Sequence, residues 1–113
     1  MKKMKKNMTK ISDYLAKVKS QILEVEPDAE VYLFGSRARG DFNEESDWDL
    51  LIILPDEITF SRRYLITSKT YNLEHESNQF FNRIYYSRED WLNNKFIKST
   101  PFYKNVQNDA ILL

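Results

Sequence analysis

Asp47 and Asp49 stand two positions apart at the mouth of an apolar run, Leu50 to Leu54. On an extended strand, residues i and i+2 share a face, so both carboxylates can converge on one cation or a close pair. Two hard carboxylates, with water and phosphate oxygens filling the other coordination positions, suit Mg²⁺, which dehydrates reluctantly; Mn²⁺ accepts similar oxygen ligands. Such a metal lowers the pKa of an attacking hydroxyl and neutralises a leaving pyrophosphate. An Asp-x-Asp pair alone is weak evidence, because carboxylates often decorate strand starts as solvated residues. Its meaning depends on what lies beside it.

Just upstream are the only two glycines of the chain, Gly35 and Gly40, both after the short apolar run Val31 to Phe34. A chain this sparing of glycine uses it where the backbone takes positive φ or approaches something closely. Gly35-Ser36 can present backbone amides and a hydroxyl to phosphate oxygens, more so if a helix begins just beyond. Arg37 and Arg39 would add fixed positive charge suited to bidentate phosphate contact. Taken alone, the stretch Gly35 to Gly40 is also what an ordinary surface loop with solvated arginines looks like. Loop and carboxylate pair together, on neighbouring predicted strands, place an anion cradle opposite a metal site.

Gly35-Ser-Arg-Ala-Arg-Gly40 followed by Ser46-Asp-Trp-Asp-Leu50 resembles the two-part signature of the nucleotidyltransferase superfamily that includes DNA polymerase beta, and specifically its minimal bacterial members. The resemblance implies that Gly35 and Ser36 hold the triphosphate of ATP or another nucleoside triphosphate, with Arg37 and Arg39 nearby, and that Asp47 and Asp49 bind the divalent metals of a two-metal mechanism. It implies in-line attack of an acceptor hydroxyl on the α-phosphorus, transfer of a nucleoside monophosphate, and release of pyrophosphate. It also implies a third carboxylate on a later strand, acting as general base and metal ligand. Glu76 is the choice, with Glu74 as the alternative and a vacant third position as another; two residues apart on a strand, the glutamates would share a face. Trp48 departs from the usual aliphatic spacer and is expected to pack opposite the metals. Minimal members are often paired with a helical HEPN-family protein, in some cases as antitoxin and toxin, which implies a hydroxyl of that partner as acceptor. The competing function is a nucleotide-binding antitoxin or interaction module without turnover. A small-molecule transferase is a third, less favoured by a chain without an added acceptor domain, although a homodimer would form a cleft.

Several elements must position this site. Met8, Ile11, Leu15, Val18, Ile22 and Val25 recur at steps of three and four, one face of an amphipathic helix that Pro27-Asp28 ends. Val31 to Phe34 and Leu50 to Leu54 read as strands, and their near-continuous apolar character suggests cover on both faces. A helix is expected over 58–71, then strands over 73–76 and 80–86 with Ser77-Asn78 as the turn. Asn82-Arg83 interrupts the last run, which places that strand at an edge or in the wall of the nucleotide cleft. Ser87 with Asp90, and Thr100-Pro101, are helix-start signals. The expected fold is α/β (α+β), a small mixed sheet with helices packed mainly on one side, forming a single domain over 1–113.

Composition sets the outer bounds. Lys plus Arg equals Asp plus Glu at 17 each, so net charge gives no strong nucleic-acid signal and no membrane-surface signal. Lys2, Lys3, Lys5 and Lys6 read as a flexible basic arm over 1–7. The chain has no cysteine and no apolar run near the roughly 20 residues of a membrane span, so a cytoplasmic location is expected. His75, the only histidine, reads as a surface or packing residue. The aromatics Trp91, Phe96, Phe102 and Tyr103 read first as core, with a docking surface as the alternative.

Overall fold

A computed structural model describes residues 9–113; the basic arm expected over 1–7, and Met8, lie outside the described residues. The elements run α1 (Thr9–Val25), β1 (Glu30–Phe34), α2 (Ser36–Arg39), β2 (Trp48–Leu54), α3 (Phe60–Ser77), β3 (Phe81–Ser87), α4 (Arg88–Asn93), α5 (Lys95–Lys98), α6 (Pro101–Asp109) and β4 (Ile111–Leu112). The strands form one mixed sheet in the order β3-β2-β1-β4. β1 is antiparallel to β2 and β4, while β2 and β3 run parallel across the connection through α3.

β2 is the centre of the molecule because its alternation is apolar on both faces. Leu50, Ile52 and Leu54 pack with Leu15, Val18 and Ile22 of α1 and with Ile66 and Leu73 of α3. Leu51 and Ile53 pack on the other side with Trp91, Val106 and Ala110. The two long helices thus share one face, and the short C-terminal helices cover the other. Full burial of each such Leu or Ile is worth about 1.5–3 kcal/mol, so β2 anchors whatever its first residues carry.

The strand expected over 73–76 is instead the last part of α3. Ile66, Thr70 and Leu73 are its buried residues, at steps of four and three, and that helical spacing carries through the Leu-Glu-His-Glu stretch that looks alternating in isolation. Ser77-Asn78 does end the element: Asn78 adopts left-handed φ of 57° and its N–H caps the Glu74 carbonyl. At the other end, Thr59 Oγ1 accepts from the Arg62 amide at 3.2 Å. Arg62 then ties α3 to α1 through both oxygens of the buried Glu26, at 2.8 and 2.9 Å. The helix starts at Ser87 and Thr100 are realised, each hydroxyl accepting from the amide three residues on. Trp91, Phe102 and Tyr103 form an aromatic cluster with Phe34 and Tyr86, whereas Phe96 is exposed.

Candidate functional site

The β1–β2 register sets Phe34 opposite Asp49, so the chain leaving β1 meets the chain entering β2. Gly35 has φ of 77°, a conformation that side chains disfavour. A Cβ there would run into Asp49 Oδ2 and lie 3.1 Å from its Cγ. Glycine is therefore required twice over, by the backbone and by the carboxylate against it. The Gly35 carbonyl accepts from the amides of Ala38 and Arg39, both at 3.0 Å, closing the single turn of α2. The Ser36 and Arg37 amides fall in the first turn, where N–H groups have no acceptor within a helix. Gly40, in the left-handed region, closes the turn by donating to the Ser36 carbonyl.

The segment leading to Asp47 is built by its own polar groups. The Ser46 amide donates to the Asn43 carbonyl at 3.1 Å, the Glu45 amide to Asn43 Oδ1 at 2.8 Å, and the Asn43 amide to Ser46 Oγ at 3.0 Å. Arg37 braces this turn from inside. It is 5% exposed, donates from Nε to the Ser46 carbonyl at 3.1 Å and from Nη2 to the Asn43 carbonyl at 3.4 Å, and lies over the rings of Trp48 and Phe42. Burial lowers its pKa, opposed by Tyr14 and Asp47. Arg37, expected to contact phosphate, is a strut for the loop, because a buried guanidinium finds its acceptors in the carbonyls around it. Arg39 is exposed and pairs with Asp41 at 3.3 Å and Asp109 at 3.8 Å.

Trp48 turns to the α1 side, packing on Tyr14 and donating from Nε1 to Gln79 Oε1. Alternation then sends Asp49 to the opposite face, the one that carries Leu51 and Ile53. Asp47 is exposed and Asp49 half-buried, so both are open to solvent.

The expected third carboxylate is not where the sequence reading put it. Glu76 is exposed on helix α3, on the α1 side of the sheet, not on a strand beside Asp49. Glu74, on the same helix, is committed: Oε1 pairs with Arg83 Nη2 at 2.9 Å and Oε2 accepts from the Phe81 amide at 2.8 Å. The residue in register with Asp49 on β3 is Asn82, whose Nδ2 donates to Asp49 Oδ1 at 3.1 Å. Asn82 is the residue that sequence reasoning missed; its only signal was the polar break in an apolar strand. Among the described residues, no group of three or more His, Cys, Asp or Glu side chains is placed to hold a metal ion. The donor set of Asp47 and Asp49, hard oxygens backed by an amide, fits one oxygen-loving divalent cation that shares its remaining positions with water and phosphate.

The model of the nucleotidyltransferase domain matches residues 15–113. The chain belongs to this family. Among solved structures, a toxin–antitoxin crystal structure with AMP-PNP is similar with a TM-score of 0.54 at 16% identity, over 85% of this chain and 69% of that one. A protein from Sulfolobus solfataricus put forward as a nucleotidyltransferase is similar with a TM-score of 0.50 at 23% identity, over 97% of this chain and 90% of that one. No curated protein sequence matches the chain. At these identities the structural likenesses show the nucleotidyltransferase fold, in agreement with the family match. No helix among the described residues is long and apolar enough to cross a membrane.

Proposed function

We propose that this nucleotidyltransferase domain binds a nucleoside triphosphate, ATP first among them, with Mg²⁺ or Mn²⁺, and transfers the nucleoside monophosphate to a hydroxyl of a separate acceptor. The observation that carries this reading is the close approach of the Asp49 carboxylate to Gly35, which brings the acidic pair against the start of the glycine loop. Asp47 and Asp49 are the cation ligands, Gly35 and Ser36 the phosphate cradle, and Arg39 the exposed cation at the rim. A bound divalent cation neutralises the triphosphate and activates the attacking hydroxyl. The acceptor oxygen bonds to the α-phosphorus as the bond to the bridging oxygen breaks; pyrophosphate leaves and the hydroxyl proton passes to a base. The natural acceptor is a protein partner acting in the cytoplasm, for which a HEPN-family toxin is our first choice. The toxin–antitoxin neighbour with AMP-PNP supports a nucleotide and a toxin partner.

The second reading, a nucleotide-holding antitoxin without turnover, is favoured by one observation: Asn82 offers an amide where a base would stand next to Asp49. Calorimetric titration of ATP in Mg²⁺ into the wild type and into the Asp47→Asn, Asp49→Asn double variant tests the site. Metal-dependent binding present only in the wild type is expected, and no binding by the folded wild type sinks a stand-alone site. Radiolabelled ATP with the partner then separates the readings, since label on the partner requires transfer.

A further inference from the structure

β3 is an edge strand of the sheet, and two of its neighbouring residues point to opposite faces with opposite fates. Arg83 turns inward to Glu74 and Thr70. Asn82 turns outward and touches Asp49. The parallel β2–β3 register makes the second contact a consequence of the fold, because Asp49 and Asn82 are paired residues in the ladder. Glu74 reinforces it from behind by accepting the Phe81 amide, which fixes the first residue of β3 immediately before Asn82.

We infer that Asn82 is a positioning residue for the metal carboxylate Asp49 and that its neutral amide holds the site to a single divalent cation. This deepens the proposed function and rests on its reading of Asp47 and Asp49 as cation ligands. An amide N–H on Oδ1 orients the carboxylate and leaves Oδ2 directed toward Gly35, where the cradle begins. Groups that orient metal ligands in this way contribute to affinity almost as the ligands themselves do. The amide adds no negative charge, however, and two carboxylates neutralise one dication and no more. Nor does an amide accept a proton at neutral pH. The proton of an acceptor hydroxyl therefore leaves to a base outside β3, on the acceptor's own chain or in water, and the domain by itself holds nucleotide better than it turns it over.

The probe is Mn²⁺ alone, titrated into the whole chain and followed by the paramagnetic resonance signal of the free ion, with circular dichroism to confirm the fold of each variant. One ion per wild-type chain is expected. Asn82→Ala should weaken binding by about tenfold through loss of the orienting contact. Asn82→Asp should tighten it by about tenfold, because added ligand charge raises affinity, and that gain should vanish when Asp49→Asn is combined with it. Two ions on the wild type, an Asn82→Ala variant that matches it, or an Asn82→Asp variant with no gain each overturns the inference. The reading beneath it fails separately: Mn²⁺ binding that survives Asp49→Asn shows that the aspartate is not a ligand. Nucleotide plays no part in this titration, so a wild type that follows the Mn²⁺ pattern yet ignores ATP removes the nucleotide reading and leaves Asn82 in its role.

Discussion

Two carboxylates of this molecule meet the same strand from opposite sides. Glu74 reaches β3 from α3, is 12% exposed, and spends both oxygens on the Arg83 guanidinium and the Phe81 amide. Asp49 reaches β3 from β2, is open to solvent, and uses one oxygen on Asn82 while the other rests against Gly35. The first is satisfied by the protein and is structural. The second is only partly satisfied, lies against the side-chain-free Gly35, and is open to a ligand. The two acids differ in the number of lone pairs left over, which is why we propose Asp49 and not Glu74 as the ligand-binding carboxylate.

The sharpest way to break that contrast is Glu74→Ala. It leaves the half-buried Arg83 charge without its carboxylate and takes an acceptor from β3, so a loss of about 2–3 kcal/mol in urea unfolding is expected. A loss under about 1 kcal/mol would mean the pair is solvated and the two acids are not different in kind. Gly35→Ala comes next, with a positive φ forced on a residue bearing a Cβ and that Cβ driven against Asp49. Thermal unfolding should show a penalty of about 1–3 kcal/mol, and ATP titration should show binding lost outright. Retained affinity would remove the Gly35–Asp49 contact from the site. Smallest is Glu76→Gln, which alters an exposed helix position on the far face of the sheet. Stability should stay within about 0.5 kcal/mol and Mg²⁺-dependent ATP binding should be unchanged, whereas a clear fall in binding would return Glu76 to the site.

The resemblance of Gly35 to Gly40 and Ser46 to Leu50 to a known signature was legible because it is local. A glycine with positive φ, a strand start with acids at i and i+2, and a following apolar run all fit within about twenty residues, and each constrains the backbone by sterics or alternation alone. The amphipathic face of α1 and the caps at Ser87 and Thr100 were legible for the same reason. Trp48 also followed from alternation: once Asp47 and Asp49 share a face, the residue between them must take the other.

Three assignments needed the tertiary structure. Leu73 to Glu76 is short enough to satisfy strand and helix patterns alike, and the decision fell to Ile66, Thr70 and Leu73 packing as one stripe against the sheet. Arg37 looks like a phosphate ligand on paper; burial over Trp48 and the carbonyls of Asn43 and Ser46 make it a brace for the loop instead. Asn82 carries no motif, and only the parallel pairing of β2 with β3, across 33 residues of sequence, brings it to Asp49. The sequence by itself determined which local segments could offer phosphate-binding backbone and paired carboxylates, since those depend on φ preferences and side-chain alternation. Which polar groups keep free lone pairs depends on the partners that strand register and helix packing deliver from far along the chain, and that was decided by the tertiary structure.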